Sequence, residues 1–255
     1  MKELKPKYTI TRDENHAYTV SNNDKTTTLP GVSSILDIVG SKDKTNRLMG
    51  WAKKQALLKV AEHLRAFITA PVTIDETWIE AVRKSAWKRD KELLKEAGDL
   101  GTRVHNAIDS FITGQPPLLD PDTKQGYDNF MKWLEDSKIK LIKGDTYIAS
   151  IKMGYGGAMD ALGVRDGKLV LLDWKTSNQL VDTYSLQTAA YVMAFEETFE
   201  QDIDKAFVVR FGKEIPGDIE YREVDLCNAT KAFKCAINLK NDMAYPLWMA
   251  AEGEQ

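Results

Sequence analysis

The stretch KLVLLDWKTS, from Lys168 to Ser177, indicates how the chain folds. It begins as an aliphatic run and ends with an aspartate and a lysine on either side of a tryptophan. Successive side chains of a strand point to opposite faces, so Asp173 and Lys175 share one face while Leu172 and Trp174 share the other. We expect one face to pack in the core and the other to carry chemistry.

The preceding stretch, GGAMDALGVRD, predicts the partner strand of a hairpin, with Asp166-Gly167 as the turn. Pairing outward from this turn brings Asp160 close to Asp173. Two carboxylates and the Lys175 ammonium then converge at one end of a sheet. Unpaired buried carboxylates are costly, so the cluster is expected either to form a salt bridge or to bind a cation.

The Asp-x-Lys spacing alone has little meaning, because it occurs four times in the chain. The other three copies begin at Asp122, Asp136 and Asp166, which fall at a helix start, a helix end and a hairpin turn. A surface role explains those three copies. Only the copy at Asp173 ends an apolar strand and has a second carboxylate placed to meet it.

Carboxylate oxygens in this number suit Mg²⁺ or Mn²⁺, which bind through one or two carboxylates, water and substrate phosphate. Such an ion polarises a phosphoryl oxygen and activates water, and Lys175 would orient that water or stabilise the developing charge. The chemistry indicated is phosphodiester hydrolysis. The alternative is a plain salt bridge between Lys175 and an aspartate.

The bulk composition excludes several classes of protein. With 255 residues, 43% hydrophobic and 29% charged, the sequence is typical of a globular protein with one large domain, alone or with an appendage. It contains no apolar leader and no run of roughly 18 apolar residues, so we expect no membrane association. The expected location is the cytoplasm, or the host cytoplasm if the protein is virus-encoded.

The two cysteines, Cys227 and Cys235, lie in one predicted helix. Eight residues of helix separate them by about 12 Å, which is too far for a disulfide. Two cysteines cannot ligate a four-cysteine iron–sulfur cluster, so none is expected. We predict that both are small buried apolar side chains.

Positive charge is concentrated in residues 41–105, which hold fourteen Lys and Arg against nine Asp and Glu in a chain of net charge -3. The segment is either an electrostatic footprint for phosphates or an ordinary solvated helical face. Three tryptophans in it, Trp51, Trp78 and Trp87, either stack on bases or anchor helix packing.

Turn and cap signals divide the first half of the chain into elements. A hairpin is predicted over residues 7–29, and helices over residues 32–95. A new helix is expected to begin after Gly98 and Gly101, and Pro121 opens the next one.

The second half alternates strands with helices. Three strands, KIKLIKGDTYIAS, GGAMDALGVRD and KLVLLDWKTS, precede a helix, two more strands and a closing helix that begins at Asn228 or Thr230. This order predicts an α/β protein with a mixed β-sheet flanked by helices. We expect a hairpin and basic helical segment at 1–94, a core at 95–245 and a tail at 246–255.

Four motifs, in order, resemble a known family. GGAMD, LVLLDWKTS and LQTAAY resemble the active-site core of the PD-(D/E)XK nuclease superfamily, in its RecB-like exonuclease branch, and GTRVHNAIDSFITG resembles the histidine helix upstream. LPGVSSIL and MGWAKK are similar to the leading segment of phage-type exonucleases and of the mitochondrial genome-maintenance exonuclease. The resemblance runs from about Leu29 to the last helix, and ordered motifs are more specific than any single one. It implies a restriction-endonuclease-like core with an N-terminal hairpin and a helical extension.

The same resemblance implies the site. Asp160, Asp173 and the main-chain carbonyl of Trp174 would be metal ligands, with His105 as a further ligand and Lys175 as a catalytic residue acting with the two aspartates. From the residues alone, His105 is also explained as a satisfied histidine at the edge of a buried stripe.

Five further residues complete the predicted site. Gln187 and Tyr191, which match the family's Q-x-x-x-Y signature, are counted with the catalytic residues. They share a helical face and would contact the substrate backbone or brace Lys175, or else form the polar edge of an apolar helix. Thr176, Ser177 and Arg103 are predicted to bind substrate. Thr176 and Ser177 would donate to phosphate or simply end the strand.

Several features depart from the family pattern or compete with it. Members of this branch often carry a glutamate where this chain has Asp145, so the role of that glutamate either passes to Asp145 or is missing.

Gly154 and Gly156 begin a dinucleotide-loop pattern, but Met159 occupies its last glycine position and the loop leads into a strand instead of a helix. These glycines are better explained as letting the backbone pass close to a substrate or as a bend in the strand. His16 and His63 have no neighbours at ligand spacing, and no role is predicted for either.

Taken together, the sequence predicts a Mg²⁺- or Mn²⁺-dependent DNA nuclease. The expected mode is exonucleolytic, on single- or double-stranded DNA, in recombination, repair or replication, with proteins of those processes as partners. The alternatives are a structure-selective endonuclease and a non-catalytic nucleic-acid-binding protein that retains the fold.

Overall fold

The computed structural model of the protein describes residues 4–22, 25–69 and 74–243. Within the helices, the side chains of residues 40–49, 66–69, 87, 89–91, 94 and 97 are outside this description. The expected tail at 246–255 also lies outside the described residues.

Five helices and ten strands make up the described chain. In order they are β1 (Thr9–Arg12), β2 (Tyr18–Asn22), β3 (Lys25–Leu29), α1 (Val32–Thr69), α2 (Glu76–Ile112), α3 (Pro121–Ser137), β4 (Lys140–Lys143), β5 (Thr146–Ser150), β6 (Tyr155–Met159), β7 (Ala161–Arg165), β8 (Lys168–Lys175), α4 (Asp182–Phe199), β9 (Lys205–Phe211), β10 (Ile219–Glu223) and α5 (Leu226–Asp242). They form two compact units, one from the described residues of 1–39 and 104–255 and the other from 40–103. These boundaries lie apart from the expected division at residue 94.

The central sheet of the first unit has five strands in the order β10-β9-β8-β7-β4. Every neighbouring pair is antiparallel except β8 and β9, which run parallel. Helix α4 makes the crossover that a parallel pair requires. Helix α4 contacts β8 and β9, and α3 contacts β9 and β10. The predicted α/β class, with a mixed sheet flanked by helices, is confirmed.

Strand β8 is buried on both faces, which corrects the expectation that only one face packs. Leu171 belongs to the core that α4 covers, and Trp174 packs on the other face against Phe130 and Trp133 of α3. Asp173 is 1% exposed, and the residues of β8 from Leu169 to Trp174 are all buried. This near-continuous apolar run is typical of a strand between two helical layers.

The predicted hairpin of β7 and β8 is confirmed, and Ala161 pairs with Leu172 in its register. The stretches read as single strands are each divided in two, however. KIKLIKGDTYIAS breaks between β4 and β5 and GGAMDALGVRD breaks at Asp160, because β5 and β6 pair with each other in a separate two-stranded sheet.

The predicted N-terminal hairpin is confirmed as the antiparallel pair β1–β2, and β3 extends it to a three-stranded sheet. Two predicted boundaries are wrong. Helix α2 continues through Gly98 and Gly101, since a helix tolerates each glycine at about 1 kcal/mol relative to alanine. Helix α5 begins at Leu226, where Asp225 caps it by accepting a hydrogen bond from a backbone N–H.

The two cysteines do lie in one helix, α5, but both are exposed. The helix buries a different face, through Ala229, Phe233 and Ile237. The prediction that the cysteines are buried is therefore wrong, because the apolar stripe of α5 does not include them. Within the described residues, no helix is both long and apolar enough to cross a lipid bilayer.

Asn129 of α3 holds the loop between β9 and β10. Its amide donates to the carbonyls of Gly212 (2.8 Å) and Ile215 (3.0 Å), and its oxygen accepts from the N–H of Gly217 (2.8 Å). The residue is 2% exposed, so these backbone groups have little access to water as a substitute.

We predict that Asn129→Ala lowers the free energy of unfolding by about 1–3 kcal/mol, the usual effect of leaving buried polar groups unpaired. Urea unfolding followed by tryptophan fluorescence measures the change. The control is Glu135→Ala, an exposed position on the same helix, which should change stability by no more than about 0.5 kcal/mol. Equal stabilities of the two variants would contradict this account of the loop.

Candidate active site

A cavity of about 400 Å³ in the first unit gathers most of the predicted site residues. Those that line it are His105, Asp160, Asp173, Trp174, Lys175, Gln187 and Tyr191. They come from four separate places in the chain: α2, the β6–β7 junction, the end of β8, and α4.

Asp160 occupies the break between β6 and β7, where its side chain takes over a backbone role. Its Oδ2 accepts a hydrogen bond from the backbone N–H of Trp174 at 2.7 Å, and its Oδ1 lies 3.3 Å from Nδ1 of His105. Burial opposes ionisation of Asp160, but the contact with His105, the charge of Lys175 and the Trp174 N–H together lower its pKa below the ordinary value. Asp160 is therefore a carboxylate.

Asp173 and Lys175 form a buried ion pair at the end of β8. Lys175 Nζ lies 2.6 Å from Asp173 Oδ2, and the side chains are 15% and 1% exposed. Burial raises the pKa of Asp173 to about 6, against the opposing effect of the Lys175 charge and with a further increase from Asp160. Burial acts to lower the pKa of Lys175, but Asp173 and Asp160 raise it above its ordinary value. In this arrangement Lys175 is an ammonium, so it can donate a proton or a hydrogen bond but cannot accept a proton from water.

The donor set can be compared with what a divalent metal requires. Among the described residues, no three His, Cys, Asp or Glu side chains form a ready group for a metal ion. Each carboxylate is instead engaged, Asp160 by His105 and Asp173 by Lys175. The Oδ2 of Asp173 is buried and receives no well-directed hydrogen bond, only the ion contact. Two carboxylates in one cavity, one with an incompletely satisfied oxygen, fit a hard divalent cation in chemistry.

Gln187 and Tyr191 bind each other on one face of α4. The Gln187 amide donates to the Tyr191 hydroxyl at 2.7 Å, and burial raises the pKa of Tyr191 well above its ordinary value. Lys175 also contacts Tyr184 of the same helix, whose ring centroid lies 5.0 Å from Nζ. Tyr184 was missed by sequence reasoning, although its place one turn before Gln187 puts it on the same helical face.

Close packing against two tyrosines explains the glycines of β6. A Cβ on Gly157 would lie 2.6 Å from Cε1 of Tyr191, and a Cβ on Gly156 would lie 2.5 Å from Cβ of Tyr18. The close approach at Gly156 and Gly157 is to aromatic side chains that line the cavity, whereas the approach predicted at Gly154 and Gly156 was to a substrate. Gly154 has a φ of +75°, a conformation that glycine adopts without strain.

Two further aspartates line the cavity, Asp145 and Asp109. The backbone N–H of Asp145 donates to Asp109 Oδ1 at 3.0 Å. Partial burial, followed by the charges of Asp160 and Asp109, raises the pKa of Asp145. Asp145 therefore lies near the other carboxylates of the cavity. Asp109 was missed, although it lies one helical turn after His105 on α2.

Arg12, the last residue of β1, and His16, in the turn between β1 and β2, also line the cavity. Neither was predicted, because local sequence carries no signal for a contact between an N-terminal turn and strands about 150 residues later. Finding them required the tertiary arrangement.

Three predicted substrate contacts do not line the cavity. Thr176 and Ser177 follow β8 and are half-buried, and Ser177 Oγ donates to the carbonyl of Gln179 at 2.8 Å, which ends the strand. Arg103 is an exposed residue of α2 that belongs to the second unit. A phosphate-binding role for these three stays a prediction.

Within the second unit, Trp78 and Trp51 are half-buried. The Trp78 ring stands edge-on to His63 with 6.5 Å between centroids, and His63 Nε2 lies 2.8 Å from Ser85 Oγ. These contacts join α1 to α2, which favours the helix-packing interpretation for Trp78. The Trp87 side chain lies outside the described residues.

No protein-family model matches the chain, and no curated protein does either. Among solved structures, the chain is similar to the crystal structure of SSO0001, with 15% identity and a TM-score of 0.31 over 77% of this chain and 88% of that one. It is also similar to an alkaline exonuclease, LHK-Exo from Laribacter hongkongensis, with 12% identity and a TM-score of 0.31 over 56% of this chain and 81% of that one. Likenesses at this level establish neither a family nor an activity.

We predict that Gly157→Ala lowers the free energy of unfolding by about 1–3 kcal/mol, because the new methyl group would overlap the buried Tyr191 ring. Gly98→Ala is the matched control, since its Cβ would meet nothing within 4 Å. That control should raise helix stability by up to about 1 kcal/mol. Thermal and urea unfolding of the three proteins measure both changes, and a Gly157→Ala protein as stable as the parent would contradict the packing described at β6.

Proposed function

We propose that the protein is a divalent-metal-dependent DNA nuclease that hydrolyses phosphodiester bonds in the cavity of the first unit. The observation that carries this proposal is the convergence of Asp160, Asp173 and Lys175. A buried carboxylate, a partly buried carboxylate and an ammonium at one sheet end are costly to assemble and suit phosphoryl chemistry. The resemblance of the ordered motifs to PD-(D/E)XK nucleases supports the same reaction.

Asp160, Asp173 and the Trp174 main-chain carbonyl would hold Mg²⁺ or Mn²⁺, with His105 as a further ligand. When bound, such an ion supplies charge that polarises a phosphoryl oxygen and increases the acidity of water. Since both carboxylates now contact cationic or imidazole partners, loading the site would exchange those contacts for the ion.

Lys175 would act in its protonated form. As an ammonium it donates hydrogen bonds to a phosphoryl oxygen on which charge increases in the transition state, or orients the attacking water. The Tyr184 ring, 5.0 Å from Nζ, restricts the lysine to the cavity. Gln187 and Tyr191, held together on α4, would contact the sugar-phosphate backbone of the bound strand.

The exonuclease mode, the action on single- or double-stranded DNA and a role in recombination, repair or replication rest on the family resemblance. The net positive charge of residues 41–105 supports DNA as the substrate, because phosphate contacts dominate the affinity for nucleic acids. The helices of the second unit would contribute such contacts.

A second candidate function is non-catalytic binding of nucleic acid. The ion pair between Lys175 and Asp173 favours it, because a self-satisfied pair can serve as a structural element without any metal. Cleavage assays separate the two candidates.

We predict that Asp173→Asn and Lys175→Met each reduce metal-dependent cleavage by about 10²-fold or more, the usual effect of losing one preorganised charged group. Purified protein is incubated with single- and double-stranded DNA, with Mg²⁺, with Mn²⁺ and with chelator. Asp166→Asn and Lys168→Met are the matched controls. They have the same Asp-x-Lys spacing in the same hairpin, but they lie at its exposed turn and should cleave like the parent.

Two results would contradict the proposal. One is a parent protein that leaves every substrate intact with both metals, which would favour the binding function. The other is equal cleavage by the Asp173→Asn and Asp166→Asn proteins, which would locate the activity elsewhere.

We predict that end-labelled linear DNA is degraded while a covalently closed circle of the same sequence survives, because an exonuclease requires an end. Gel analysis of both substrates over one time course measures this. Opening of the circle at a comparable rate would replace the exonuclease mode with the endonuclease alternative.

A further inference from the structure

The turn between β1 and β2 has a fixed backbone. The N–H of Asp13 donates to the carbonyl of Ala17 at 3.0 Å, and the N–H of His16 donates to the carbonyl of Asp13 at 3.1 Å. The Asp13 side chain also accepts a hydrogen bond from the N–H of Ala17 at 2.8 Å. Three hydrogen bonds within five residues make this turn a rigid support for the side chains it carries.

His16 has a φ of +61°, in the left-handed region that few residues other than glycine adopt. A residue held there signals a constraint imposed by the surrounding structure. Its carbonyl oxygen would lie 3.2 Å from a Cβ on Gly31, so the turn also packs closely on the chain that enters α1. The result is that the His16 side chain lines the cavity beside Arg12.

Arg12 is held in place without being neutralised. Its guanidinium contacts the His16 ring and lies 6.0 Å from the centroid of the Tyr18 ring. Tyr18 is 5% exposed and packs closely against Gly156, so its ring has little freedom to move and gives Arg12 a fixed surface to contact. Among the described residues, Arg12 forms no ion pair with a carboxylate, so its charge remains available to an anion.

A phosphate would need this additional positive charge in order to bind in the cavity. Four aspartates line it, and its other permanent cation, Lys175, is already paired with Asp173. A phosphate entering this cavity would be repelled unless another cation faced it. Arg12 lines the same cavity as these aspartates, so its guanidinium faces the space that a phosphate would enter.

We propose that Arg12 and His16 form a phosphate subsite, in which the guanidinium binds a backbone phosphate of the DNA strand and the imidazole and the Tyr18 ring position it. This inference rests on the proposed function, since it assigns part of the substrate to the same cavity. Arginine presents several N–H donors in a fixed plane, which suits bidentate binding of phosphate. The subsite contacts no base, so it contributes equally to the affinity for every DNA sequence.

The test is the binding of fluorescent single-stranded oligonucleotides in chelator, by anisotropy, over a range of salt concentrations. Arg12→Gln should weaken binding several-fold for every sequence tried. It should also reduce the slope of log affinity against log salt by about 0.7, the value for one phosphate contact on a single strand. Arg12→Lys, which keeps the charge, should restore the slope. Arg222→Gln, an exposed arginine of β10 that does not line the cavity, should retain the parent slope.

The outcomes separate this inference from the proposed function. An Arg12→Gln protein that is folded by circular dichroism and has the parent affinity and slope would overturn the subsite. Equal losses in Arg12→Gln and Arg222→Gln would also overturn it, since they would reflect net charge alone. If the parent cleaves no DNA but the Arg12 effect is present, the nuclease proposal fails while the phosphate subsite stands.

Discussion

The hydrogen bond from the Trp174 N–H to Asp160 Oδ2 is the interaction on which the rest of the site depends. At that point β7 has ended and β6 has turned away into a second sheet, so β8 would lose a backbone partner. The Asp160 carboxylate replaces it at 2.7 Å. The Asp160 side chain thus accepts the hydrogen bond that a backbone carbonyl of a neighbouring strand would otherwise accept. The register of the β7–β8 hairpin places this carboxylate beside Asp173. A slip of one residue in the pairing of β8 would turn each of its side chains to the opposite face. Because both faces are buried, such a slip would disrupt the core and the site together.

Packing of the surrounding core offsets the free-energy cost of holding these charged groups away from water. The rings of Phe130 and Trp133 pack edge to face against both Trp174 and Phe211, and Trp174 and Phe211 meet at a tilt of 46°. This aromatic cluster anchors the end of β8, the strand that carries Asp173 and Lys175. Burial raises the Asp173 pKa to about 6, while the Lys175 ammonium opposes that increase. Each of the two carboxylates therefore has a partner within the cluster, His105 for Asp160 and Lys175 for Asp173. A divalent cation would have to compete with Lys175 for Asp173.

Local sequence patterns correctly predicted the features that neighbouring residues determine. Asp166-Gly167 correctly set the hairpin, and with it the approach of Asp160 to Asp173. The same reasoning failed wherever tertiary pairing overrides local pattern. The aliphatic stretches around Asp145 and Asp160 are continuous in sequence, but each divides between two sheets. Gly98 looks like a helix boundary, but α2 passes through it. Arg12 and His16 could not be predicted, since only the packing of the N-terminal sheet brings them to strands far along the chain.

The central claim is that Asp160 and Asp173 act together on one divalent ion, and direct Mn²⁺ binding tests it without relying on cleavage. Chelator-treated protein is titrated with Mn²⁺ by calorimetry, beside Asp160→Asn, Asp173→Asn and the turn variant Asp166→Asn. The account predicts one principal site in the parent and in Asp166→Asn, with affinity reduced at least about tenfold in each of the other two. Unchanged affinity in both Asp160→Asn and Asp173→Asn would contradict it.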